Sequence, residues 1–192
     1  TQAADPLGRL TKYTYDPAGS LISLTKPGAR TTSYGYDKNY NIVSVTDPMG
    51  YVEKTVYDKD NRITSETDAL GQSQAYVYDK NGQVTSATDK RGFVTGFDYD
   101  AHGNIITITD KSGRKTHREY DDNDNLVKVT DALGGITAYA YDNMDRLTAF
   151  TDAAGKKTTY IYDKEGNLTS LKDAAGKKET FGYDEKGRLT SH

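Results

Sequence analysis

The chain has 192 residues, a formal net charge of −3, and neither cysteine nor tryptophan. The slightly acidic balance argues against a nucleic-acid partner, because nucleic acids are bound by basic patches. Hydrophobic residues make up 34% of the chain, which disfavours a thick globular core. No apolar run approaches the length of a membrane span.

A Tyr-Asp pair recurs every 21 residues along the whole chain. The pairs begin at Tyr15, Tyr36, Tyr57, Tyr78, Tyr99, Tyr120, Tyr141, Tyr162 and Tyr183. A fixed period of this length indicates an array of supersecondary units, each of which depends on its neighbours. We therefore expect residues 1–192 to form a single array of nine 21-residue repeats. Because neither end shows a polar cap, we expect the array to be cut from a longer protein.

Each repeat contains two turns, and we number positions from the tyrosine of the Tyr-Asp pair, which is position 0. The first turn runs from Asp at position 1 to Gly, Asn, Asp or Tyr at position 4. The second runs from Asp at position 11 to Gly at position 14 in most repeats. In such turns Asp bonds a backbone N–H two residues on, and Gly provides the left-handed exit. The predicted structural turn residues are Asp68, Gly71, Asp89, Gly92, Asp110, Gly113, Asp131, Gly134, Asp152 and Gly155.

The segments between the turns are rich in Thr, Val, Ile and Tyr, a composition typical of short β-strands. Position 6 is always aliphatic, and position 19 is aromatic in most repeats. Because tight turns join antiparallel neighbours, the sequence predicts an all-β fold, a continuous antiparallel β-meander with two strands per repeat and about eighteen strands. A sheet of this size is expected to be twisted and curved. A parallel β-solenoid is the alternative.

The odd period constrains the two turns. If both loops had an odd number of residues, or both an even number, the two faces of the strands would exchange from one repeat to the next, because side chains alternate along a strand. We therefore predict a three-residue loop with a G1 bulge at positions 11–14, with positive φ at Gly71 and Gly134, and an even loop at the Tyr-Asp turn. In this register positions 0, 5, 7, 9, 17 and 19 share one face, and position 6 lies on the other.

The pattern GRLTxxTDxxGxxTxYxYDxxG is represented here by Asp152–Gly166 followed by Asn167-Leu168-Thr169, and Gly187–Thr190 and Asp145–Thr148 echo its GRLT core. This pattern resembles the YD repeat of the Rhs family over the entire chain. The family includes bacterial Rhs toxins, insecticidal toxin-complex subunits, wall-associated proteins and teneurin-like arrays. The resemblance implies that the array is part of a spiral β-shell that encloses or presents a toxin or cargo domain.

The resemblance therefore implies a non-enzymatic scaffold in an extracellular, cell-surface or secreted protein, such as a delivered effector. Its implied partners are the remaining repeats and the cargo or toxin domain of the full-length protein. Uncovered strand edges and an apolar face also favour self-association through sheet faces or edges. We predict no cofactor, no metal ligand and no catalytic residue, with a hydrolase as the least favoured alternative.

The tyrosines at position 0 allow two interpretations. The candidate ladder or ligand tyrosines are Tyr57, Tyr78, Tyr99, Tyr120, Tyr141 and Tyr162. Asn, Gln or Arg at position 5 flanks most of them, so the rings could stack sugars and give a carbohydrate-binding or cell-adhesion surface. The favoured alternative is a packing ladder in which the polar groups at position 5 satisfy the tyrosine hydroxyls.

Three other motifs have simple structural explanations. Asp5–Gly8 and Asp47–Gly50 look like half of the Asp-Pro-x-Gly pairs with which some Rhs proteins cleave themselves, but they occupy ordinary turns. Asp121–Asn125 resembles a calcium loop but lacks its glycine and terminal glutamate. The histidines, none of which recurs with a Ser or Asp partner, are His102, His117 and His192.

Overall fold

A computed structural model describes all 192 residues, and its regular structure consists of strands alone. The chain divides into two compact units, Thr1–Thr95 and Gly96–His192. The first unit contains β1 (Gln2–Ala4), β2 (Leu10–Tyr15), β3 (Leu21–Lys26), β4 (Arg30–Tyr36), β5 (Ile42–Thr46), β6 (Val52–Tyr57), β7 (Ile63–Thr67), β8 (Ser73–Tyr78) and β9 (Val84–Thr88). The boundary between the units falls within β10 (Val94–Tyr99).

The second unit continues with β11 (Ile105–Thr109), β12 (Lys115–Tyr120), β13 (Leu126–Thr130), β14 (Ile136–Tyr141), β15 (Leu147–Thr151), β16 (Lys157–Tyr162), β17 (Leu168–Lys172), β18 (Lys178–Thr180), β19 (Gly182–Tyr183) and β20 (Leu189–Ser191). Twenty strands are present, in agreement with the predicted number of about eighteen, and the strand leading to Tyr183 is interrupted at Phe181. No helix has the length and apolarity needed to cross a bilayer.

Within each unit, strands that follow one another in sequence pair antiparallel, apart from β18 and β19, which are separated by the interruption at Phe181. In the first unit β5 pairs with β6 through Ser44–Lys54, and β6 pairs with β7 through Lys54–Thr67. In the second unit β13 pairs with β14, and β14 with β15, in the same way. The all-β antiparallel meander is therefore confirmed, and the parallel solenoid is wrong.

The prediction of an even loop at the Tyr-Asp turn is wrong. In the second turn of a repeat, Asp68 N–H donates to the Gln72 carbonyl and Gly71 N–H to the Asp68 carbonyl, each at 2.9 Å. The Tyr-Asp turn repeats this pattern, since Asp58 N–H donates to the Arg62 carbonyl and Asn61 N–H to the Asp58 carbonyl. Both ends of the repeat therefore use a three-residue loop closed by a left-handed residue.

A β-bulge beside each Tyr-Asp pair adds one residue to a strand. This extra residue keeps the strand faces in phase from one repeat to the next, which two odd loops alone would not do. Val56 lies opposite Ser65, but the next residue, Tyr57, lies opposite Ile63, so Thr64 at position 7 is the extra residue. The register shifts at the same place next to all nine tyrosines. One extra residue per repeat is what a 21-residue period with two odd loops requires.

The bulge also changes which face position 6 occupies. Directly opposed residues share a face, and Tyr36 opposes Ile42 while Tyr34 opposes Val45. Position 6 therefore lies on the same face as the aromatic columns, and its predicted place on the opposite face is wrong. We call the face formed by positions 0, 6, 9, 17 and 19 the tyrosine face. The other face is formed by positions 8, 10, 16, 18 and 20.

Neither unit has a conventional hydrophobic core. No hydrophobic side chain is fully buried, and the two buried residues are Thr107 and Ser170, each 7% exposed. The tyrosine face is half-buried, with contacts such as Tyr139 against Phe150, whose ring centroids lie 5.5 Å apart. Stability must therefore come from repeated local contacts between neighbouring strands and repeats.

Candidate functional site

The tyrosine hydroxyls of position 0 connect each repeat to the one before it. In six repeats the hydroxyl donates to the main-chain carbonyl at position 6 of the preceding repeat, over distances of 2.6 to 3.1 Å. The tyrosines concerned are Tyr36, Tyr78, Tyr120, Tyr141, Tyr162 and Tyr183. The accepting carbonyl lies beside the β-bulge, so bulge and tyrosine form one recurring joint between repeats.

Four of the six candidate ladder tyrosines make this hydrogen bond, namely Tyr78, Tyr120, Tyr141 and Tyr162. Tyr57 lies opposite Ile63, and its hydroxyl makes no hydrogen bond within the protein. Tyr99 lies opposite Ile105. The sequence predicts side chains of position 5 as partners of these hydroxyls, but in these four the partner is a main-chain carbonyl. No feature of the sequence identifies this partner, because every residue carries a main-chain carbonyl.

Arginines of position 5 cover two of the tyrosine rings. The Arg62 guanidinium lies 4.7 Å from the ring centroid of Tyr78, and that of Arg146 lies 4.9 Å from the centroid of Tyr162. Such contacts are favourable cation–π interactions. Burial raises the pKa of the Tyr162 hydroxyl, and that of Tyr141, above its usual value. A phenol with the ordinary pKa of about 10 is already neutral at physiological pH, and the raised pKa keeps these two hydroxyls protonated donors in more alkaline solution as well.

The turn aspartates bond their own backbone. At each predicted turn Asp, Oδ1 accepts the N–H groups two and four residues further on, at 2.8 to 3.0 Å, in Asp68, Asp89, Asp110, Asp131 and Asp152. The partner glycines have φ between +77° and +86°, in Gly71, Gly92, Gly113, Gly134 and Gly155. The Phe93 N–H lowers the pKa of Asp89, and the Lys90 ammonium at 2.7 Å lowers that of Asp68. The Asp68 and Asp89 carboxylates therefore act as ionised caps of their turns.

The other sequence motifs also lie in turns. In both Asp-Pro turns, Oδ1 of Asp5 or Asp47 accepts backbone N–H groups two and four residues on, as in the remaining turns. Asp121 binds the backbone of Asn123 and Asn125 with Oδ1. No group of three or more His, Asp or Glu side chains is arranged to hold a metal ion.

The three histidines lie at separate places on the second unit. His102 contacts Asp124 at 2.9 Å, and His117 contacts the Thr107 hydroxyl at 3.4 Å. His192 stacks on Phe181 with ring centroids 5.0 Å apart. These contacts connect neighbouring strands and turns.

The repeat sequence matches a known family along most of its length. The RHS repeat matches residues 1–31, 57–94, 78–115, 99–136, 120–157, 145–178 and 162–192. The chain belongs to the Rhs repeat family. No curated protein sequence matches the chain significantly.

Solved structures with the same fold come from toxin complexes. A crystal structure of TcdB2-TccC3 without hypervariable C-terminal region matches 98% of this chain at 16% identity, with a TM-score of 0.68. The Tc holotoxin pore of Photorhabdus luminescens, with a TccC3 mutation, matches 95% at 15% identity, with a TM-score of 0.66. This chain spans 12% of the length of either matched chain. At this level of identity the likeness concerns the fold.

Proposed function

We propose that this chain is a non-enzymatic structural segment of an Rhs-repeat shell, which encloses or presents a toxin or other cargo domain of a longer protein. Family membership and the fold shared with TcdB2-TccC3 support the proposal. That protein has a hypervariable C-terminal region, and we propose a comparable variable cargo region here. A secreted or surface-delivered protein is the context in which such a shell would act.

The observation that carries this proposal is the joint between consecutive repeats. The Tyr78 and Tyr162 hydroxyls bond main-chain carbonyls 15 residues earlier, and the neighbouring turn aspartates bond their own backbone. These polar groups are therefore engaged in contacts within the sheet. A sheet with no fully buried hydrophobic side chain needs such joints to keep its shape.

Limited proteolysis of the full-length protein tests enclosure of the cargo. If the repeats surround it, a protease should cut the cargo in the intact protein at least about tenfold more slowly than the same domain alone, because cleavage would follow the rare open state. Tyr78→Ala with Tyr162→Ala should speed cleavage by weakening two joints. Equal cleavage rates for free and attached cargo would contradict enclosure and favour presentation on the surface.

The contacts of the tyrosine face support the packing ladder over a carbohydrate site. Arg62 and Arg146 lie on the ring faces on which a sugar would stack, and the Tyr78 and Tyr162 hydroxyls are already engaged. A glycan array with Tyr78→Ala as the comparison separates the two functions. Specific sugar binding that this substitution abolishes, with the fold retained, would favour adhesion instead.

Self-association is part of the proposal because apolar side chains remain exposed. Leu70 is 80% exposed and Leu133 is 92% exposed, both at turn tips, and Val56 and Ile161 are more than half exposed on strands. Exposed apolar groups of this kind favour contact with further repeats or a second copy. Light scattering should show an ordered oligomer that grows with concentration. A strict monomer at about 100 μM would contradict this, since typical interfaces dissociate at micromolar concentrations or below.

A further inference from the structure

At five of the eight junctions between consecutive Tyr-Asp turns, one of two distinct side-chain arrangements is present. Both begin at position 5 of one repeat and end at the turn of the next. In the first, position 5 is arginine and position 4 of the next repeat is glycine. In the second, position 5 is asparagine and position 4 of the next repeat is asparagine or aspartate.

The arginine arrangement joins Arg62 to the repeat that begins at Tyr78. Arg62 Nε donates to Asp58 Oδ2 at 2.8 Å within its own turn, its Nη1 approaches the Asp79 carbonyl at 3.4 Å, and its guanidinium covers the Tyr78 ring. Arg146 repeats this arrangement four repeats further along the chain. Its Nε lies 2.8 Å from Asp142 Oδ2, and its Nη1 lies 2.7 Å from the Asp163 carbonyl. Their side chains are only 28% and 23% exposed.

The asparagine arrangement uses a side-chain acceptor in the next turn. Asn41 Nδ2 donates to Asn61 Oδ1 at 2.7 Å, and Asn104 and Asn125 donate to the corresponding Oδ1 of the next turn at 2.6 and 2.7 Å. The acceptors in these latter pairs are Asp124 and Asp145. Position 3 supplies a second contact to the same oxygen in all three cases, from Asn39, His102 and Asn123.

At the arginine junctions the guanidinium lies beside the point where a side chain at position 4 of the next repeat would begin. A Cβ added to Gly82 would lie 3.5 Å from Arg62 Nη1, and one added to Gly166 would lie 4.0 Å from Arg146 Nη1. A Cβ added to Gly187 would lie 3.6 Å from Asn167 Oδ1, so the junctions differ in the size of the neighbouring group and not in the Cβ distance. The Cβ itself would fit, but an amide or carboxylate beyond it would need the volume that the guanidinium fills. Asparagine at position 5 is also found before a glycine at position 4 of the next repeat. Asn167 precedes Gly187 in this way, and its Nδ2 donates to Asp163 of its own turn at 3.0 Å.

We propose that position 5 of one repeat and position 4 of the next form a matched pair that determines which repeats can follow one another. Arginine requires glycine in the next turn, whereas asparagine accepts glycine and is strengthened by asparagine or aspartate. The pair would thus select neighbours within an array whose strands and turns are otherwise nearly interchangeable. This inference concerns the assembly of the array and stands whether or not the array encloses a cargo.

A double-mutant cycle at positions 62 and 82 tests the pair. Gly82→Asn should raise hydrogen-exchange rates of the amides in the turn Asp79–Gln83 on the order of tenfold, because the new amide displaces Arg62 from the Tyr78 ring. Adding Arg62→Asn should return those rates to within about threefold of the rates measured in Arg62→Asn alone. If the double variant exchanges as fast as Gly82→Asn, the two positions are not matched.

Gly187→Asn provides the matched control. It is the same substitution at the same position of a repeat, with φ of +73° compared with +86° at Gly82, but its neighbour is Asn167 instead of arginine. The exchange rates of its own turn should change by less than about threefold, because asparagine tolerates this backbone conformation. Equal effects of Gly82→Asn and Gly187→Asn would overturn the proposal, since the backbone alone would then explain them.

If Gly82→Asn does not yield folded protein, the opposite pair of substitutions can be tested at the junction of Asn41 and Asn61. Asn41→Arg should destabilise the turn Asp58–Arg62 because Asn61 occupies the space that the guanidinium needs. Asn41→Arg with Asn61→Gly should restore it by building an arginine arrangement at that junction. A double variant no better protected than Asn41→Arg would contradict the matched pair.

Discussion

Five residues other than glycine have a left-handed backbone, with φ between +56° and +65°: Ala29, Tyr40, Asn61, Asp124 and Asp145. Asn and Asp tolerate this region, and the three at position 4 also accept hydrogen bonds from the preceding repeat. Tyr40 has a bulky side chain that is 62% exposed. Its backbone conformation is therefore set by the surrounding turn and stores strain.

Replacing Tyr40 with glycine should stabilise the protein. The substitution removes the Cβ that disfavours the left-handed conformation, and we expect the free energy of unfolding to rise by about 1 kcal/mol. Tyr40→Ala is the control, because it removes the ring but keeps the Cβ. Urea midpoints should therefore increase for glycine and change little for alanine. A larger increase with alanine would mean that the exposed ring, and not the backbone, is unfavourable.

The contact between His102 and Asp124 should make the second unit sensitive to pH. The hydrogen bond to Asp124 raises the pKa of His102, and the same bond lowers the pKa of Asp124. The Asp100 carboxylate also raises the His102 pKa, and so does Asp122. A raised histidine pKa stabilises the fold below the unfolded value of about 6.5 and loses this effect as pH rises through the folded value.

The aspartate contributes in the opposite direction, because its stabilising effect disappears as pH falls through its lowered folded pKa. We therefore expect the pair to stabilise the fold most between the unfolded pKa values of the two groups, about 3.9 and 6.5, and less towards either folded value. An NMR titration should find the His102 pKa above 6.5, and Asp124→Asn should move it back towards that value. A His102 pKa that does not respond to Asp124→Asn would contradict this assignment.

At the scale of the strand, the bulge and the tyrosine hydroxyl act together. Thr64, the extra residue, donates its hydroxyl to the Val56 carbonyl at 3.2 Å, and Thr148 does the same with Ala140 at 3.1 Å. Other repeats have Ile22, Val43, Ile106 or Val127 at this position. The bulge therefore does not depend on one residue type, and the pairing of the strands on either side must maintain it.

Tyr78→Phe should cost about 1 kcal/mol, because it leaves the half-buried Ile63 carbonyl without its hydroxyl donor. Tyr57→Phe is the matched control, since Tyr57 occupies the same position but its hydroxyl has no partner within the protein. Urea unfolding should distinguish the two variants clearly. Equal destabilisation would show that the hydroxyl contributes through solvent and not through the bulge carbonyl.

At the scale of the whole molecule, the fixed period makes repeats removable. Deleting the 21 residues Asp121–Tyr141 joins Tyr120 to Asp142 and restores the Tyr-Asp pair. It also places Asn104 before Asp145, a combination that the matched-pair rule allows. Because repeats contact only their neighbours, we expect a folded protein with a lower unfolding midpoint and β-sheet circular dichroism in proportion to its length.

Deleting the 20 residues Asp122–Tyr141 is the control for register. It leaves one extra residue in the turn, so the downstream strands meet the bulge out of phase. We expect partial unfolding or aggregation of this variant by circular dichroism and scattering. If both deletions fold equally well, then the 21-residue register is not what holds the array together.

Much of this fold follows from local sequence. The Asp at positions 1 and 11 and the Gly at positions 4 and 14 specify both turns, because an Asp cap and a left-handed exit depend on residues within five of each other. The Thr, Val and Tyr segments between them specify strands. The family could also be identified, because the period, both turns and the Tyr-Asp pair recur together.

The tertiary structure decided the bulge, the face of position 6 and the partner of each tyrosine hydroxyl. Local sequence could not indicate them, because position 7 holds Thr, Val or Ile, and the need for an extra residue arises only when two odd loops are paired across strands. The Tyr78 hydroxyl bonds a carbonyl 15 residues away that lies beside the bulge. These features depend on pairing between distant residues, and that pairing exists only in the folded sheet.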